Sequence, residues 1–124
     1  MIPAILIEGL EKSYRRTWRS SVIALRGVSM HIECGEAFGF IGANGAGKST
    51  TIKILMGLIK ASAGRARIFD VPVDDPRARV GLGYVPENPY LYDYLTPLET
   101  LSMSTRLHGM RVENRESHCL QWLD

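Results

Sequence analysis

The sequence predicts an α/β fold organised around a strand, a glycine-rich loop and a helix that follow one another without a spacer. Ala37 to Ile41 is a short, nearly continuous apolar run, the pattern of a strand buried on both faces of a parallel sheet. Gly42 to Gly47 is rich in glycine, and from Lys48 to Leu58 a helix is expected, with Ile52, Leu55, Met56 and the following Ile59 at helical spacing. With 45% hydrophobic and 23% charged residues, the 124-residue chain is neither disordered nor fibrous, and its length suits one compact domain.

The other elements follow in order. Ala4 to Leu10 is apolar, ends at Glu11 and Lys12, and reads as a strand. Tyr14 to Ser21, with Arg15, Arg16 and Arg19 around Trp18, reads as a solvated basic loop. Val22 to Glu33 carries the alternation of a half-buried strand at Val28, Met30 and Ile32, and Cys34-Gly35-Glu36 closes it with a turn. Beyond Gly64, Arg65 to Phe69 suits a strand, Asp70 to Pro76 is turn-rich, and Val80 to Val85 suits another strand that Pro86 ends. Thr96-Pro97 with Glu99 is a capping box, predicting a helix to about His108 that stops at Gly109. A further helix is expected over Arg111 to Asp124.

Fifteen Lys and Arg residues against thirteen acids leave a formal charge of +2, too weak a bias to signal nucleic acid, so no nucleic-acid partner is expected. Cys34 and Cys119 have neither C-x-x-C nor metal-ligand spacing and read as reduced, buried thiols. His31, His108 and His118 show no ligand spacing either. The N-terminus has no secretory pattern, and no run approaches the roughly 20 apolar residues of a membrane span. A function at a membrane therefore implies that another polypeptide does the spanning.

Residues 42–49, GANGAGKS, fit G-x-x-x-x-G-K-[ST] throughout. The chemistry of that pattern is phosphate binding. Glycines let backbone N–H groups turn inward toward phosphate oxygens, and the helix that starts there adds the positive end of its dipole. Gly42, Gly45 and Gly47 are the permissive positions, and Asn44 and Ala46 complete the loop. Lys48 supplies a cation for the terminal phosphates, the Ser49 hydroxyl a ligand for Mg²⁺, and Thr50 a further donor. A strand before the motif and a helix after it are the context this reading requires.

The longer stretch IGANGAGKSTTIKILMGLIKASAG resembles the Walker A region of ATP-binding cassette (ABC) ATPases. ALRGVSMHIECGEAFGFIG resembles the strands that lead into that loop, and GLGYVPENPYLYDYLTPLETL resembles the Q-loop and the helix after it. The resemblance covers essentially the whole chain. It implies a P-loop NTPase fold, incomplete here: an antiparallel β-subdomain with part of a RecA-like core over about 1–86, then the Q-loop and the start of a helical subdomain over about 87–124. It implies ATP and Mg²⁺ as ligands, a second copy of the ATPase subunit as dimer partner, and an integral-membrane permease contacted from the cytoplasmic face.

Carried over by position, the resemblance makes Tyr14 the aromatic residue that stacks on adenine; the alternative is a tyrosine that merely caps a sheet edge. Glu87 stands where the family has the Q-loop glutamine. A carboxylate is a hard oxygen ligand suited to Mg²⁺, and the alternative is a solvated loop acid. Tyr90, Tyr92 and Tyr94 with Leu91 and Leu95 read either as a surface for the permease or as internal packing, and packing is the expectation. The Glu-bearing loop resembles exporter-type cassettes.

The family's L-S-G-G-Q signature, Walker B aspartate, catalytic glutamate and switch histidine do not occur in the sequence, so no catalytic residue is assigned. The expectation is the N-terminal half of an ATPase. Alone it should bind MgATP weakly and not hydrolyse it, and its strand at 37–41 should lack a sheet neighbour. Other readings are a soluble, non-transport ABC ATPase in translation or DNA repair, a P-loop kinase or GTPase, and a non-catalytic nucleotide-binding module. The segments from Tyr14 to Gly35 and GYVPE argue against the kinase or GTPase.

Overall fold

The long aliphatic and β-branched runs before residue 33 pair into an antiparallel ribbon. In the computed structural model, which describes residues 2–17, 20–109 and 115–123, strand β1 (Ile5–Thr17) lies between β2 (Ser20–Ile32) and β3 (Ala63–Ile68). A two-residue β4 (Val71–Pro72) pairs with β3, giving the order β2-β1-β3-β4. Ile5 stands opposite Ile32 and Ile68, and Ile7 opposite Met30 and Ala66. Partners directly opposite share a face of the sheet. That face supplies Ile7, Leu10, Leu25, Ala66 and Ile68 to a core completed by Ile54, Val73 and Ala78.

The chain forms two units, residues 1–83 and 84–124. In the first, α1 (Lys48–Leu55) packs on the sheet through buried Thr51 and Ile54. It stops short of the expected Leu58. Gly57 takes a left-handed conformation, the amide of Leu58 donates to the Lys53 carbonyl at 2.9 Å, and that of Gly57 to the Ile54 carbonyl at 2.9 Å. This pair of bonds is a Schellman motif and it ends the helix. Between β4 and residue 80, a 3-10 turn (Pro76–Arg79) is capped by Asp75, whose carboxylate accepts from the Arg77 amide and its guanidinium.

Several expectations are corrected. The stretch Tyr14 to Ser21 is not mainly loop, because β1 continues to Thr17 and β2 begins at Ser20; Trp18 and Arg19 lie outside the described residues. Residues 13–15 and 20–23 are exposed, so both faces of the ribbon's tip meet solvent, and such a stretch needs no apolar alternation and carries no strand period. The strands expected at Ala37 to Ile41 and Val80 to Val85 do not form. Ile41 is 93% exposed and Val85 89%. A strand meant for burial on both faces is held by hydrogen-bonded neighbours and covering helices, and neither segment has a strand partner among the described residues. Cys34 is exposed rather than buried, whereas Cys119 is buried as expected.

The second unit holds α2 (Pro97–Leu107) and α3 (Arg115–Gln121). The capping box is present as read: the Thr96 hydroxyl accepts from the Glu99 amide, and the Glu99 carboxylate accepts from the Thr96 amide at 2.8 Å. The bond from the Thr96 amide, and after it one that the Thr96 hydroxyl donates to the same carboxylate at 2.8 Å, hold the Glu99 carboxyl below its ordinary pKa. Of the helix expected over 111–124, residues 111–114 and 124 lie outside the described residues. Tyr90, Tyr92 and Tyr94 are exposed rather than packed, Tyr90 at 99%, with the last two rings 5.4 Å apart.

Candidate functional site

The loop between residue 41 and α1 is a tight backbone turn. The Ala46 amide donates to the Ala43 carbonyl at 3.1 Å, and Gly45 and Gly47 take φ values of 84° and 91°, a region that L side chains rarely adopt. Gly47 is also where the loop presses on β2: a Cβ there would overlap the Leu25 side chain and lie 2.7 Å from the Ala24 carbonyl oxygen. Gly47 caps α1 without a side-chain hydrogen bond. The first intrahelical bond runs from the Thr51 amide to the Gly47 carbonyl at 2.9 Å. The amides of Gly47, Lys48, Ser49 and Thr50 are thus left without an intrahelical acceptor at the positive end of the helix dipole.

Lys48 folds back over this loop. Its ammonium donates to the carbonyls of Gly42 and Ala43, the latter at 2.9 Å. One unit of positive charge therefore sits at the loop itself, and Ser49, the next residue along α1, is exposed. Thr51, two positions beyond the sequence motif, is fully buried, and its hydroxyl donates to the Gly47 carbonyl at 3.1 Å. Sequence reasoning passed over this bond, which locks the first turn from inside. Its signal was a second threonine directly after the motif. Amides without intrahelical acceptors, a turn with glycine at its left-handed positions, an ammonium and a hydroxyl fit a polyphosphate carrying a divalent cation.

Tyr14 lies on β1 opposite Val22 and is 40% exposed. Its side chain shares a face with that of Lys12, two residues earlier, and Lys12 stands opposite Leu25, the residue on which Gly47 rests. Tyr14 is therefore on the sheet face that carries the loop. A cleft of about 320 Å³ opens between residues 23–28 of β2 and the Gly45–Ala46 turn. The structure thus gathers Gly42, Asn44, Gly45, Ala46, Gly47, Lys48, Ser49 and Thr50 in one loop and helix start. Glu87 belongs to the second unit, where it is exposed ahead of α2.

The family model described as ABC transporter matches residues 25–124. The chain belongs to the ABC transporter family. An uncharacterized ABC transporter ATP-binding protein of Nostoc sp. is 39% identical over 122 residues, covering 97% of this chain and 36% of the relative. One of Synechocystis sp. is 38% identical over 117 residues, covering 93% and 33%. A solved dimeric structure of a bacterial ABC transporter cassette superposes with a TM-score of 0.78 at 26% identity, covering 94% of this chain and 54% of that one. The chain thus spans about a third of the length of these curated relatives. Its fold is the P-loop NTPase fold of ABC cassettes, present in part, and the ABC family is one of ATP-binding ATPases. No helix among the described residues is long and apolar enough to cross a membrane.

Proposed function

We propose that this chain binds MgATP through residues 42–50 and forms part of the ATPase subunit that drives a separate membrane permease. The observation that carries the reading is the start of α1: four helix amides without intrahelical acceptors or a side-chain cap, with the Lys48 ammonium on the carbonyls of the same loop. The amides of Gly45 and of Gly47 to Thr50 hold the phosphate oxygens, while Gly42, Asn44 and Ala46 shape the turn. Lys48 exchanges its two loop carbonyls for terminal phosphates, and Ser49 ligates Mg²⁺. Bound magnesium supplies charge neutralisation between the phosphates. Tyr14 stacks on adenine, and Glu87 contributes a hard oxygen toward the metal.

The same reading places the β-subdomain and loop core over about 1–86 and the Q-loop with the start of a helical subdomain over about 87–124. The working unit is a dimer at the cytoplasmic face, in keeping with the dimeric cassette that shares the fold, and the direction is export. The exposed tyrosines around Tyr90 suit contact with the permease. The 124-residue chain alone binds MgATP weakly and does not hydrolyse it, because an oriented water and charge stabilisation must come from groups beyond the phosphate cradle.

Isothermal titration of the full-length protein tests the binding. Replacing Lys48 by alanine removes charge-assisted hydrogen bonds worth about 1.5–3 kcal/mol, so MgATP affinity should fall roughly ten- to a hundredfold. Unchanged affinity in a folded variant contradicts the assignment. Sustained phosphate release from the 124-residue chain, abolished by the same substitution, would refute its inactivity.

A further inference from the structure

The segment after α1 is tied to β1 at one spot. The Ser62 amide donates to the Glu11 carbonyl at 2.8 Å, and the Ser13 amide donates to the Ser62 hydroxyl at 3.0 Å. Between those two anchors, the Lys12 ammonium donates to the Lys60 carbonyl at 2.6 Å. Held there, the same ammonium lies 5.1 Å from the centroid of the Tyr14 ring, within the range at which a cation is attracted to an aromatic face. Lys60 lies just beyond the Schellman turn that ends α1. Lys12 therefore joins three things: β1, the chain leaving the phosphate-loop helix, and one face of Tyr14.

From this arrangement we propose that Lys12 is a positioning residue for base recognition: its ammonium, pinned by the Lys60 carbonyl, holds one face of Tyr14 and fixes the ring so that the other face receives adenine. The inference rests on the proposed stacking role of Tyr14 and adds to it the residue that orients the ring. Free rotation of a half-exposed tyrosine opposes stacking, because each binding event must first restrict it. A cation on one face removes that freedom beforehand and also fixes where the base lands relative to the loop at Gly47.

The test separates the base from the phosphates. Full-length protein is titrated with MgATP and with magnesium tripolyphosphate, which has no base, and folding is checked by circular dichroism. Lys12→Met should weaken MgATP about two- to fivefold, the fold-change of an exposed cation–π contact, and leave tripolyphosphate unchanged. Lys12→Arg keeps a cation over the ring and should restore the wild-type value. In a Tyr14→Ala background, Lys12→Met should add nothing. An equal loss toward both ligands, a loss that persists without the Tyr14 ring, or wild-type affinity of Lys12→Met overturns the proposal. If Tyr14→Ala itself binds MgATP as wild type does, the stacking role fails and the proposal falls with it. If Tyr14→Ala weakens binding while Lys12→Met does not, stacking survives and only the role of Lys12 is lost.

Discussion

Substituting the two left-handed glycines of the loop separates backbone conformation from close packing. Gly45 and Gly47 have nearly the same φ, 84° and 91°, so alanine at either carries a left-handed penalty of about 1–2 kcal/mol. Their surroundings differ. A Cβ at Gly45 meets nothing within 4 Å, whereas one at Gly47 lies 2.7 Å from the Ala24 carbonyl oxygen and overlaps the Leu25 side chain. The Leu25 side chain can turn; the Ala24 carbonyl belongs to β2 and moves only with the strand. Overpacking of this kind costs about 1–3 kcal/mol more. Gly47→Ala should therefore destabilise by about 2–5 kcal/mol and Gly45→Ala by about 1–2 kcal/mol. Equilibrium urea unfolding of the two variants beside wild type measures both. Equal costs at the two positions would refute the packing of the loop on β2, and a negligible cost at both would refute the left-handed turn.

Two further predictions concern the caps. Thr96→Ala removes the hydroxyl from the α2 capping box and should cost about 1 kcal/mol, read as a lower denaturation midpoint; no change means that the box contributes nothing in solution. Asp75 is held at about 2, below its ordinary 3.8, by hydrogen bonds from the Arg77 guanidinium and then the Arg77 amide. A carboxyl depressed in the folded state stabilises above its unfolded pKa and loses that contribution as pH falls through the folded value. Asp75→Asn should thus be less stable than wild type above about pH 4, with the gap closing toward pH 2. A gap independent of pH, measured by denaturation midpoints across that range, would contradict the charge role.

The legible parts of the sequence were those whose signals are local. The capping box at Thr96 and Glu99, the glycine loop and the start of α1 at Lys48 depend on a few neighbouring residues, and each is where the spacing put it. What the sequence misplaced depends on partners elsewhere. AFGFI and VGLGYV read as strands because their composition suits a buried parallel sheet, yet a strand exists only by pairing, and Ile41 and Val85 stand in solvent. The polar tip of the β1–β2 ribbon and the two-residue β4 were missed for the opposite reason, since neither has an apolar period to read. In the candidate site, the motif marked the glycine loop, but the Lys48 bridge to the Gly42 and Ala43 carbonyls, the buried Thr51 hydroxyl and the Lys12 contact with Tyr14 are products of folding. Only the i, i+2 spacing of Lys12 and Tyr14 hinted at the last.

Backbone amide resonances report most directly on whether the start of α1 is a phosphate cradle. In an isotope-labelled full-length protein titrated with MgATP, the amides of Gly45, Gly47, Lys48, Ser49 and Thr50 should shift together and saturate, while those of Arg65 to Ile68 in β3 stay in place. Magnesium with adenosine alone should leave the loop amides unmoved. Saturation with MgATP that shifts other regions and spares those five amides would contradict the account.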